Sequence, residues 1–197
     1  MNVHSMSKSI RGVVAVVGIA SLVALGAVGS ASATETKRSP EPLGLVGFDT
    51  VVAAAHGFEV RTDINGYKCS IPQNSPPGLC PSDFRLGEAN QGKTSTYNTV
   101  RDTCGYSYLY WTSSGRGYET GYYINASAGF ALTHTWSLFF TTTSGPELRD
   151  HSGIAPWGGR SWSATGTLDG GGQSGSASGT VFLNNGGICV SKGPVAN

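Results

Sequence analysis

The sequence predicts an all-β domain: an antiparallel β-sandwich, with a barrel as second choice, stapled by disulfides and exported behind a cleaved signal peptide. Three observations predict it. From Phe58 to Val190 apolar and polar residues alternate in short runs, the period-two pattern of strands with one face on a core and one in water. Turn signals such as Asn65-Gly66 and Asn185-Gly186 separate the runs and favour hairpins. Four cysteines, all beyond residue 33, fit two bridges formed in an oxidising compartment.

The leader comes first. Lys8 and Arg11 give a positive start, Val13–Gly29 carries no charge, and Ala31-Ser32-Ala33 is a small-x-small cleavage pattern. Cleavage is expected after Ala33. An uncleaved anchor is the alternative, because the apolar run approaches spanning length, but glycines interrupt it. No cysteine follows the run and no hydrophobic tail ends the sequence, so a freely released, extracellular protein is expected. The organisation reads as signal peptide 1–33, disordered leader 34–42 and a single β-domain over 43–197.

Charge narrows the partners. The chain has 13 Lys and Arg against 12 Asp and Glu. Without Lys8 and Arg11 the remainder carries one net negative charge. No basic block offers a footprint for nucleic acid, and no basic amphipathic helix suits a membrane surface. The expected partner is an unidentified protein or a carbohydrate. Oligomeric state is not legible.

The elements follow in order. Asp49 caps a short helix through Ala55 with Gly57 ending it, or Val51-Val52 belongs to a strand. Phe58, Val60, Thr62 and Ile64 form a strand that turns at Asn65-Gly66 and returns through Tyr67, Cys69 and Ile71. Residues 72–98 read as loop, since prolines between 72 and 81 exclude a central strand. A second hairpin spans 105–124. Tyr106, Tyr108 and Tyr110 share one face of its first strand; Tyr118, Thr120, Tyr122 and Ile124 share one face of its second. Residues 130–141 are the clearest strand, with Phe130, Leu132, His134, Trp136, Leu138 and Phe140 on the apolar face. The stretch 144–159 reads as a loop. Trp162 to Leu168 forms a strand, Asp169–Gly175 a linker, Ala177 to Leu183 another strand, and Ile188-Cys189-Val190 the last.

Four cysteines allow three connectivities. Cys69–Cys80 is favoured because it brackets a proline-rich loop where closure is local. Cys104–Cys189 then ties a central strand to the last one. A metal site is not expected: no C-x-x-C occurs and no histidine sits at ligand spacing from a cysteine. No cofactor is expected either.

Several constellations bear on chemistry. Val51-Val52-Ala53-Ala54-Ala55-His56 resembles the segment leading to the catalytic histidine of chymotrypsin-like proteases. Gly172-Gln173-Ser174-Gly175 loosely resembles their nucleophile motif, and Asp102 falls between, in that family's order. The resemblance implies a base, an orienter and an activated hydroxyl at His56, Asp102 and Ser174. It covers about fifteen residues, and the chain departs from it. Gln173 stands in place of aspartate, Gly57 in place of cysteine, and too little chain precedes His56. Asp150-His151-Ser152 places triad residue types side by side, where neighbours point apart; it reads as a polar loop. No G-x-S-x-G elbow occurs.

His134 lies on the apolar face of the best strand, as a satisfied core histidine or, within a barrel or cleft, a site histidine. Asp63-x-Asn65-Gly66 opens like a calcium loop but lacks the remaining ligands, and reads as a turn. Tyr108, Tyr110, Tyr118 and Tyr122 are candidate ligand contacts, since tyrosine combines flat apolar area with a polar tip. The loop Ser70–Leu79 is held by prolines and the first bridge. Ser75-Pro76-Pro77 faintly resembles the Ser-x-Pro-Pro of Bowman–Birk inhibitors, though the cysteine framework differs. Asn74, Ser75 and Leu79 are the residues such a loop would present. The reading is a secreted, non-catalytic binding module. A protease inhibitor presenting 70–79 is the alternative, and a serine hydrolase the further one.

Overall fold

The structure, a computed structural model, describes residues 40–87, 104–112 and 115–197. The expected signal peptide and Asp102 lie outside the described residues. The alternation of the sequence is carried by strands β1 (Glu41–Phe48), β2 (Phe58–Thr62), β3 (Lys68–Pro72), β4 (Gly105–Trp111), β5 (Gly117–Ile124), β6 (Ala131–Thr142), β7 (Gly145–Asp150), β8 (Gly153–Ile154), β9 (Ser161–Thr167), β10 (Gly172–Leu183), β11 (Gly187–Ser191) and β12 (Val195–Ala196). Helix α1 (Thr50–Ala55) follows β1, and a short 3-10 turn, Ala126–Ala128, lies between β5 and β6. Asp49 settles the helix-or-strand ambiguity: its carboxylate accepts from the N–H groups of Val51 and Val52, which the first helical turn would otherwise leave unpaired.

The tertiary arrangement corrects the sandwich. Ten strands form one continuous sheet in the order β7-β6-β10-β11-β1-β4-β5-β9, with β12 on β10 and β8 on β6, while β2 and β3 pair separately. All pairings are antiparallel. The large sheet curls into a half-barrel. Its two flanks face each other across one core. Tyr118 of β5 lies 4.7 Å from Phe140 of β6, and Tyr122 lies 5.7 Å from Trp136, ring to ring. Alternation reveals which residues face inward. It is blind to whether two inward faces belong to one sheet or two. Register breaks in β1 between Leu45 and Gly47, and at both ends of β10, supply the local bends that curling requires.

The core contains Leu43, Ile124, Trp136, Leu138, Phe140, Val181 and Leu183. Both expected bridges are present: Cys69–Cys80 ties β3 to the loop after it, and Cys104–Cys189 ties the residue just before β4 to β11, the two strands that flank β1. Bridges of this kind fit an extracellular protein. Among the described residues no helix is long and apolar enough to cross a membrane.

Four local readings change. β1 begins at Glu41, inside the expected leader, because Glu41 and Pro42 pair with Ser107 and Tyr106. The stretch read as a loop after β6 contains β7, an edge strand whose proline and charges mask its pattern. The expected linker 169–175 ends at Gly172, where β10 starts. The missing side chains make room for aromatic rings: a Cβ at Gly175 would meet Phe140 Cδ1 at 2.6 Å. Finally, the β2–β3 turn is longer than a two-residue Asn-Gly turn. Asp63 and Tyr67 close it, and only Gly66 takes a positive φ, of 80°. The Asp63 carboxylate accepts from the N–H groups of Asn65, Tyr67 and Cys80. The Cys80 bond leads in holding its pKa below the ordinary value.

Candidate functional site

The β4–β5 hairpin divides the candidate tyrosines. Inward positions of β5 bury Tyr118 and Tyr122 to 1% exposure. Outward positions of β4 carry Tyr108 and Tyr110, both half-buried, and Tyr106, which is exposed. Tyr123 joins them from β5, since it follows the inward Tyr122 and so points out. The inner pair belongs to the core; the outer four form a surface.

Two stacked pairs organise that surface. Tyr106 and Tyr123 sit opposite one another on paired strands, with ring centroids 5.4 Å apart and planes 21° apart. Tyr108 and Tyr110 stack along β4 at 5.0 Å and 15°. Tyr108 leans over Gly121, its cross-strand partner, where a Cβ would meet the hydroxyl at 2.8 Å. The hydroxyl donates to Glu119 Oε1 at 3.4 Å. Burial first, and the Glu119 carboxylate second, push the Tyr108 pKa up to about 12. Burial also raises Tyr110. Both phenols therefore stay protonated at neutral pH, and Tyr108 keeps its donation to Glu119. Beside the rings, β9 turns the hydroxyls of Ser161, Ser163 and Thr165 outward. Such a face offers ring surface for stacking and hydroxyls for hydrogen bonds.

Inside the curl lies a second aromatic group, built around His134. The His134 and Trp162 rings are 4.3 Å apart, with Tyr122 and Trp136 each within 6 Å of Trp162. His134 Nε2 lies 2.9 Å from the carbonyl oxygen of His151. A carbonyl only accepts, so Nε2 carries the hydrogen and Nδ1 accepts from the Tyr122 hydroxyl at 3.0 Å. Burial lowers the His134 pKa and raises that of Tyr122. His151 turns inward, its Nε2 2.9 Å from the Tyr118 hydroxyl. The Trp136 indole N–H donates to Thr120, whose hydroxyl donates to the Tyr108 carbonyl oxygen. These polar atoms satisfy one another within the core.

Asp150 and Ser152 turn away from His151. The Ser152 hydroxyl and N–H both donate to Asp150 Oδ1, at 2.5 and 2.8 Å, and the hydroxyl bond leads in lowering the Asp150 pKa. His56 is the exposed C-cap of α1. Its helix is tied through Asp49 and Gly186 to the far end of β10, whereas Ser174 lies near the start of that strand, opposite Thr141. The nine residues from Ser174 to Leu183 span about 30 Å. Asp102 lies outside the described residues.

In the 70–79 loop, Asn74 takes a φ of 66°, the Ser75 hydroxyl donates to the Pro72 carbonyl, and Leu79 is 60% exposed. Arg61 reaches across from β2 to the Pro76 carbonyl at 2.9 Å. Among the described residues no group of His, Cys, Asp and Glu is placed to hold a metal ion. Comparison with protein-family models, with curated proteins and with solved structures gives no match.

Proposed function

We propose that this chain is a secreted, non-catalytic binding module whose contact surface is the outer face of β4 and β5. The observation that carries the reading is the pair of stacked tyrosine couples, Tyr106 with Tyr123 and Tyr108 with Tyr110, on the side of the sheet that faces water. Outward strand positions bear polar residues where nothing else is asked of them. Tyrosine there supplies rigid contact area at small entropic cost and keeps a hydroxyl for orientation. The two bridges support an extracellular setting.

The test presents the protein to immobilised cellulose, chitin, xylan and peptidoglycan, and to a panel of immobilised secreted proteins. The Tyr110→Ala and Tyr123→Ala variants run alongside. Retention on one or more supports, lost in both variants, supports the reading. Retention on none, or retention that neither substitution alters, contradicts it.

A further inference from the structure

We propose that the ligand of the tyrosine face is an extended, neutral polysaccharide, and that Trp157 forms the end of its track. This rests on the reading of the outer face as the contact surface.

The first ground is linear order. Tyr110, Tyr108 and Tyr106 occupy every second position of β4, so the row spans about 14 Å along the strand, and Tyr123 flanks its Tyr106 end. The turn that carries Trp157 leads into β9 beside that end and is also tied to Ala131 and Leu132 of β6. Ser161 pairs with Tyr123, and the Arg160 carbonyl accepts from Ile124 N–H at 2.6 Å. The Trp157 turn therefore enters the sheet where the Tyr106–Tyr123 couple stands.

The second ground is how the backbone beneath the indole is held. Trp157 is fully exposed, yet its turn is fixed on both sides. Gly159 N–H donates to the Pro156 carbonyl at 2.8 Å, Ala155 N–H to the Leu132 carbonyl at 2.9 Å, and Ala131 N–H to the Gly159 carbonyl at 3.2 Å. Gly158 supplies the positive φ, 67°, that the turn requires. A large apolar ring on a pre-ordered turn binds without the cost of ordering its backbone.

The third ground is charge. On the outward positions of β4, β5 and β9, Glu119 is the one ionised side chain among the described residues, beside Ser161, Ser163 and Thr165. A nucleic acid needs a row of Lys or Arg against its phosphates; the outward strand positions supply none, and one exposed cation, Arg160, stands between Trp157 and Ser161. A protein partner's anchor residues fill desolvated pockets, whereas these rings stand on an open face. A neutral sugar chain matches all three grounds: C–H faces for the rings, hydroxyls for Ser, Thr and Glu119, and length for the row.

The test is calorimetric titration of the whole secreted protein with neutral cello-, chito-, xylo- and mannooligosaccharides of two to six units. The Trp157→Ala and Tyr106→Ala variants follow, with thermal melts to verify the fold. For at least one series, affinity should rise with length, and each variant should lose about tenfold or more on the hexasaccharide, the loss of roughly 1.4 kcal/mol. Equal affinity for disaccharide and hexasaccharide, or unchanged hexasaccharide affinity in Trp157→Ala, overturns the extended track. Binding of no oligosaccharide, with an immobilised protein held through Tyr110 and Tyr123, overturns the polysaccharide and leaves the contact surface standing. Binding of neither class overturns both.

Discussion

The Tyr122 hydroxyl donates to Nδ1 of His134 at 3.0 Å, inside the half-barrel. With Nε2 donating to the His151 carbonyl, both ring nitrogens are satisfied only while the imidazole is neutral. Burial lowers the His134 pKa from its ordinary 6.5. The unfolded chain therefore takes up a proton at a higher pH than the folded one. This contribution to stability is fully present above pH 6.5, declines as pH falls through 6.5, and levels off below the lowered folded pKa. Urea midpoints measured from pH 8 to 5 should fall in the wild type and fall less in His134→Gln. A flat wild-type profile would contradict the assignment.

Tyr122→Phe removes that donor and leaves Nδ1 buried without a partner. A loss of about 1–3 kcal/mol is expected. Tyr118→Phe should cost less, because its partner His151 is only half-buried and water can replace the hydroxyl. Equilibrium unfolding of the two variants checks the order.

Strand β6 gives a packing contrast. Leu138 is fully buried and Leu132 half-buried. Leu138→Ala should cost about 2–5 kcal/mol, and Leu132→Ala measurably less. Equal losses in denaturant unfolding would place the core boundary of β6 wrongly.

Gly179 faces Trp136 across β10 and β6. An added Cβ would collide with the Trp136 ring and the Thr135 carbonyl oxygen. Gly179→Ala should destabilise by about 1–3 kcal/mol or more, the range for overpacking. A gain in stability would mean the indole yields freely.

Much of this was legible in the sequence because period two survives burial. The inward run His134, Trp136, Leu138 and Phe140 and the split of the β4 tyrosines from Leu109 follow from alternation; Cys69–Cys80 follows from loop closure, and Cys104–Cys189 is the pair that then remains. Gly172 to Gly175 read as a linker because glycine carries no pattern. Its strand role depends on rings from Trp111 and Phe140, which lie 61 and 35 residues away in the chain. β7 was hidden by an edge strand's need for proline and charge. The curl of a single sheet is a property of strand order, to which alternation is indifferent. On the surface, Tyr123 could have been assigned from its parity with Tyr122. Trp157 carried no signal, because a lone tryptophan in a glycine-rich stretch looks the same whether it is buried or fully exposed.

The most direct measurement of the contact surface is amide and side-chain chemical-shift mapping of the isotope-labelled protein. The titrant is the longest oligosaccharide, or the immobilised-panel protein in soluble form, that the retention assays select. Perturbations are expected at Tyr106, Tyr108, Tyr110, Tyr123 and the Trp157 indole, with the rings around His134 unchanged. Perturbations confined to Asn74, Ser75 and Leu79, or to His134 and Trp162, would contradict this expectation.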